Sequence, residues 1–176
     1  MKALSAGIGF ALAAAGFMVA LAIAAPQEDT VKLTASLKAR FEVPKPQGVP
    51  AGATGRFTGT AAEQANDRAR VTWRLTFSNL SGRAVAAHIH VGRVGRAGGV
   101  MAALCGPCRT GQRGTTMISH AQLRTIRAGR AYVNVHTRRN AAGEIRGQLK
   151  GTEGGGSGTG STSTTDTDTT EPPPYP

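Results

Sequence analysis

Apolar and polar side chains alternate along most of the middle of the chain. In 31–41, Val31, Leu33, Ala35, Leu37, Ala39 and Phe41 fall on one face and Lys32, Thr34, Ser36, Lys38 and Arg40 on the other. This is the two-residue period of a half-buried strand. It recurs in 69–77, with Val71, Trp73, Leu75 and Phe77 inward and Arg70, Thr72, Arg74 and Thr76 outward. Shorter strands are predicted over 55–62, 84–92, 100–104, 115–118, 131–137 and 144–150. Turn-forming stretches separate them: a Pro/Gly-rich loop at 44–55, Asn66-Asp67, Ser81-Gly82, a Gly/Arg loop at 92–99, and Asn140-Ala141-Ala142-Gly143, whose glycine suits a positive φ. One helix is expected over 120–127, with Ser119 as its N-cap, Leu123 and Ile126 buried, and Gly129 as its stop. Short strands around one short helix predict an all-β antiparallel sandwich or flattened barrel.

Two of these strands carry candidate chemistry. In 84–92, Val85, Ala87, Ile89 and Val91 share the apolar face, while His88 and His90 project from the other beside Ala84 and Ala86. In 131–137, Val133 and Val135 point inward and Tyr132, Asn134 and His136 outward. Three of the four histidines therefore leave their strands on the side opposite the core. If the two strands are neighbours, the imidazoles converge. Neutral imidazole is a good ligand for copper and zinc, and two histidines at i, i+2 reach one ion. The set permits a mononuclear site at His88, His90 and His136, with Tyr132 or Asn134 placed to hydrogen-bond to the ligands. The competing reading is that the three rings hydrogen-bond to backbone and to one another and fix the sheet surface.

The ends of the chain bound its location. Lys2 is followed by an uncharged apolar run over 3–25 that closes on Ala22-Ile23-Ala24, an A-x-A cleavage pattern. Residues 1–25 read as a signal peptide, and the same run is long enough to serve as an anchor if it is retained. Both readings export the remainder to the periplasm, cell surface or medium. Residues 151–176 are mainly Gly, Ser, Thr, Asp and Pro, with Glu153, Glu171 and Tyr175 and no aliphatic side chain, a composition that predicts a disordered tail. One domain, 26–150, lies between them. It carries 20 basic side chains, mostly Arg, against 6 acidic ones. That field favours anionic partners such as envelope polymers, phospholipid head groups or polyanions, or another exported protein, against the plainer reading that the charge serves solubility. Nucleic acid is not expected, because export removes the opportunity and the few aromatics form no stacking series.

Cys105-Gly106-Pro107-Cys108 spells a redox C-x-x-C. It lies in a loop after a short strand, with no βαβ unit around it, and a structural disulfide is the expectation for an exported chain. Thiol–disulfide exchange stays as the remote alternative. The glycines of 92–99 have only the loose spacing of a phosphate loop and no helix follows, so that function is rejected. Ser119-His120 is better explained by capping than by catalysis, and the scattered acidic residues give no carboxylate pair.

The order of these pieces resembles the CHRD domain. The resemblance rests on Phe41-Glu42-Val43-Pro44, Leu80-Ser81-Gly82, and Ala86-Ala87-His88-Ile89-His90-Val91-Gly92. It continues through Leu123 to Arg127-Ala128-Gly129, then Ala131-Tyr132-Val133-Asn134-Val135-His136-Thr137, and Asn140 to Gly143-Glu144-Ile145-Arg146-Gly147-Gln148. It implies an immunoglobulin-like β-sandwich, likened to copper/zinc superoxide dismutase, and no settled biochemical role. His120 departs from the pattern, where an acidic or small residue is usual, and receives no role. The first expectation is a non-enzymatic exported binding or scaffold module. The second is a small copper/zinc metalloprotein or metalloenzyme distantly like superoxide dismutase, although the further histidines and the aspartate of that two-metal site are missing.

Overall fold

The computed structural model describes residues 30–154. The apolar run and cleavage pattern of 1–25, and the tail from 155 on, lie outside the described residues. Nine strands alternate with turns: β1 (Thr30–Lys38), β2 (Thr54–Gln64), β3 (Arg68–Ser78), β4 (Ala84–Val91), β5 (Val100–Cys105), β6 (Gln112–Ser119), β7 (Ala131–Thr137), β8 (Ile145–Gln148) and β9 (Lys150–Glu153). One helix, α1 (His120–Arg127), joins β6 to β7. All pairings are antiparallel, in the order β5-β4-β7-β8-β1-β2-β3-β6, with β9 beside the first half of β1. The end strands β5 and β6 approach one another, so the sheet curls nearly shut into a flattened barrel. Among the described residues no helix is long and apolar enough to cross a membrane.

The period-2 faces build the core. Val31, Leu33, Ala35 and Leu37 of β1 are buried with Phe57, Val71, Trp73 and Leu75 from its neighbours. Ile89, Val133, Val135, Ile145 and Leu149 close the other side. Fully burying a side chain of this size stabilises by about 1.5–3 kcal/mol. Helix α1 caps one end of the interior with Leu123 and Ile126. Its start is a reciprocal capping box: the Ser119 hydroxyl accepts from the Gln122 amide, and the Gln122 side chain accepts from the Ser119 amide. Gly129 follows it in the left-handed region, at φ 65°.

Three local departures from strict alternation matter for the site. The first strand stops at Lys38, and Ala39–Phe41 form a 3-10 turn instead of continuing it. Three residues per turn break the two-residue period, so Phe41 is 42 % exposed, and Glu42 is buried at 1 % beside Asn134 and Arg146 of the outer-face polar layer. In β4 the pairing with β7 slips between Ala84 and Ala86. That irregularity puts Ala84 into the core, against the histidine-side placement its sequence position predicts. At the far end of β4, Val91 is 46 % exposed rather than inward. Pairing also runs past residue 150: Lys150 to Glu153 add a strand along Val31–Thr34. A Cβ on Gly151 would meet Val31 Cγ1 at 3.2 Å, so the bare backbone of this segment fits where a side chain would crowd the core.

Candidate metal centre

Strands β4 and β7 are direct neighbours, and their register sets His88 opposite Asn134, His90 opposite Tyr132 and Ala86 opposite His136. The three histidines thus share the outer face of the sheet, as the two-strand pattern predicts. Their candidate donor nitrogens lie within 4.8 Å of one another. They are less open to solvent than an outward face suggests. His90 and His136 are 8 % and 7 % exposed, and His88 is half-buried. The cover comes from two connections, the loop between β4 and β5 and the turn between β7 and β8.

Those two connections also orient the rings. His136 Nδ1 lies 3.0 Å from the Ala141 carbonyl, and His90 Nδ1 lies 2.9 Å from the Gly98 carbonyl. A carbonyl only accepts, so each ring donates from Nδ1 and, when neutral, presents a bare Nε2 lone pair. The Nε2 of His136 faces His88 Nδ1 at 3.0 Å. The Nε2 of His90 is buried and has no protein partner. Burial lowers the His88 pKa below its ordinary value, and the neighbouring His90 lowers it further. Burial likewise lowers that of His136; the Ala141 contact opposes the shift, and His88 and His90 add to it. Neutral imidazole, the form that ligates metal, is the favoured one here.

The surroundings of the three rings form a polar layer across β4, β7 and β8. Tyr132 stacks on His90, with ring centroids 4.9 Å apart and planes 9° from parallel. The Arg146 guanidinium sits 3.4 Å from the Tyr132 ring centroid. Its Nη2 donates to the carbonyls of Arg93 and Arg96, at 2.9 and 2.8 Å, which holds down the loop above the histidines. Tyr132 accepts from the Gly98 amide at 3.2 Å and thereby fixes the carbonyl that orients His90. Gly98 itself must be glycine, because an added Cβ would run into the Val91 carbonyl. Asn134, the cross-strand partner of His88, makes no hydrogen bond to the histidine rings; its amide nitrogen lies 3.5 Å from the Ala142 carbonyl, and its Oδ1 is buried without a partner.

Zinc–imidazole bonds of about 2.0–2.1 Å hold ligand nitrogens roughly 3.4 Å apart in a tetrahedron. Closing the widest pair to that distance takes side-chain adjustments of about an ångström. The residues therefore fit a three-imidazole ion. Among the described residues no carboxylate or thiolate joins the group. His120 lies elsewhere, at the helix start, with Nδ1 3.3 Å from Asp67 and Nε2 2.9 Å from the Arg68 carbonyl. Cys105 and Cys108 are joined as a disulfide, so neither supplies a thiolate. The Cys108 amide donates to the Ala84 carbonyl, which ties the small loop to the start of β4.

Sequence reasoning missed Glu42 and Arg146 as members of this layer, and the Gly98 and Ala141 carbonyls as the groups that set the tautomers. Backbone carbonyls leave no mark in a sequence. Arg146 had a signal: counting back from the 140–143 turn pairs it with Asn134, on the same face as the histidines.

With the geometry in place, comparison with known proteins gives one finding. The family model described as CHRD domain matches residues 33–149. No curated protein and no solved structure matches the chain.

Proposed function

The chain belongs to the CHRD domain family, and on that premise we propose that it is an exported binding module holding one copper or zinc ion on His88, His90 and His136. The observation that carries this reading is the pair of carbonyl-oriented rings. Gly98 and Ala141 take the Nδ1 protons of His90 and His136, which turns both Nε2 lone pairs out as donors, and that of His90 is buried with nothing to bind. A buried polar atom without a partner costs about 1–3 kcal/mol. A cation at that place offsets the cost, and a ligand histidine whose second nitrogen donates to a carbonyl is the usual arrangement of a metal site.

The reading is of a held ion. No carboxylate falls within the ligand group of the three rings among the described residues to bridge a second metal. The surface supports an anionic polymer as the partner. Ion pairs among the described residues engage only Arg127 and His120 on the cationic side, which leaves the other Arg and Lys side chains without carboxylate partners. Such a surface attracts polyanions and loses that attraction as salt rises.

Calorimetric titration of the metal-free protein with copper(II) or zinc(II) tests the site. One ion per chain is expected, together with a loss of at least a hundredfold in affinity in the His88→Ala/His90→Ala variant. Unchanged binding in that variant would remove the proposal.

A further inference from the structure

Beside the histidine layer, on the outer face of β1 and β8, lies a groove of about 680 Å³, within the usual range of 300–1,000 Å³ for small-molecule sites. Thr34 and Ser36 of β1 and Arg146 and Gln148 of β8 form its floor. The 3-10 turn and the segment after it make one wall, with Phe41 and Val43; Val94 and Gly95 of the β4–β5 loop make the other. Phe41 and Val94 are 42 % and 76 % exposed, so two large apolar side chains line an open cleft.

The exposed charges lining the cleft are all of one sign, while the buried Glu42 carboxylate lies near enough to Arg146 at the floor to interact with it electrostatically. Arg40, Lys45, Arg56 and Lys150 line it, each exposed, and none is within ion-pair distance of a carboxylate among the described residues. No acidic side chain belongs to the lining. At the floor sits Arg146, 1 % exposed, whose Nη2 is already committed to two loop carbonyls. Its other terminal nitrogen, Nη1, is buried and has no partner. A guanidinium fixed in place, with an unused donor, is preorganised for an anion. Four converging cations repel one another until an anion enters, and the apolar walls reward a hydrocarbon body that enters with it.

We propose that this groove binds a small amphiphilic anion, a monomeric carboxylate or phosphate monoester bearing one alkyl or aryl body, with its head on Arg146 and the rim cations and its body between Phe41 and Val94. The site is separate from the three-histidine centre and does not rest on the metal reading. Guanidinium groups match the planar or tetrahedral oxyanion head in a way an ammonium does not. A free inorganic anion lacks the apolar contacts, and a neutral alcohol of equal chain length lacks the charge.

Calorimetry with decyl phosphate below its micelle concentration tests this on the metal-free full chain. Saturable one-to-one binding is expected, with inorganic phosphate and decanol each at least tenfold weaker. Raising the salt from 50 to 500 mM should weaken binding severalfold, since the rim cations are solvent-exposed. The Arg40→Ser/Lys150→Ser variant changes only exposed side chains and should lose tenfold or more. The Val94→Ser variant should lose severalfold while leaving the response to salt unchanged. Equal binding of decanol, equal binding of phosphate, or unchanged affinity in both variants would overturn the proposal. So would binding to anionic vesicles that decyl phosphate does not compete away. None of these outcomes bears on copper or zinc titration, so the two readings fail separately.

Discussion

The hairpin β7–β8 carries two buried polar clusters a few residues apart, and they are built on opposite terms. Around Glu144, every side-chain group has a partner. Its carboxylate accepts from the Ser81 amide and hydroxyl, the Thr137 hydroxyl and the Asn140 amide group. Asn140 then accepts from the Gln47 amide and donates to the Gln47 carbonyl, at 2.7 and 3.1 Å. Thr137, next in the chain to His136, belongs to this closed knot. On the adjoining face of β4 and β7 the accounting fails to close: His90 Nε2 and Asn134 Oδ1 are both buried without partners. A satisfied polar cluster holds a fold together. One that keeps oriented lone pairs in reserve is arranged for something that arrives later. The contrast separates structural from ligand-binding polarity on one strand, where residue types alone do not.

The sharpest way to break this contrast is to damage the closed cluster. Replacing Glu144 by Ala removes the shared acceptor of four donors, those of Thr137 and Asn140 buried and those of Ser81 half-buried. The expected cost is about 3–4 kcal/mol of folding stability, measured by urea unfolding. Metal affinity of whatever fraction remains folded should change little. A loss under 1 kcal/mol would mean that the knot is not what pins the loops at Ser81 and Gln47.

The mirror experiment acts on the open cluster. His90→Phe keeps a ring stacked on Tyr132 and removes the buried lone pair. Stability of the metal-free protein should move by less than about 1.5 kcal/mol, as volume-conserving changes do. Copper or zinc affinity should fall at least a hundredfold. In the unaltered protein, metal at a hundred times its Kd should add about 2.7 kcal/mol of stability, and the variant should show none of it. A large loss of metal-free stability would move His90 to the structural side of the comparison.

A smaller effect tests the orienting carbonyls. Gly98→Ala forces the β4–β5 loop away from Val91 and so displaces the acceptor of His90 Nδ1 without touching a ring. Metal affinity should fall about tenfold, the lower range for altering a group that orients a ligand. The disulfide and β4 pairing should be unaffected. Zinc calorimetry reads the first and urea unfolding the second.

Much of this was legible in the residues, and what was not has a common cause. The alternation in β1, β3 and β7, the Ser119 cap and the convergence of His88, His90 and His136 follow from periodicity and local chemistry. The misplacements of Phe41 and Ala84 come from a 3-10 turn and a register slip, which change a side chain's face without changing its type, and Val91 is exposed at the last position of β4. The short strand β9, Lys150–Glu153, is held by backbone pairing to Val31–Thr34, and its Lys-Gly-Thr-Glu sequence has no apolar pattern to read. The burial of the histidines was hidden for a similar reason: their cover is loop backbone, and its carbonyls look alike in any sequence.

The smallest predicted effect separates the two clusters by pH. His88 and His136 have folded pKa values below their ordinary 6.5, so an unfolded chain binds protons that the folded one resists. Their stabilising contribution is complete above about pH 6.5 and is lost as the pH falls from there through the folded values. Glu144 behaves alike on a lower range. Burial pushes its pKa up, but the bonds from Ser81, Thr137 and Asn140 outweigh this and hold it below the ordinary 4.5. Its contribution therefore stays whole until the pH drops below about 4.5. Glu42 has the opposite sign. Burial raises its pKa against the pull of Val43, Arg146 and Asn134, so its contribution is full below 4.5 and is lost as the pH rises through the folded value. Urea unfolding of metal-free protein between pH 7.5 and 5 should thus show a histidine-linked decline toward acid, opposed in its lower part by Glu42. His136→Asn should flatten that decline and leave the fall below pH 4.5 in place, because that fall belongs to Glu144. If His136→Asn removed both phases together, the two clusters would be one cooperative network and the distinction between them would not stand.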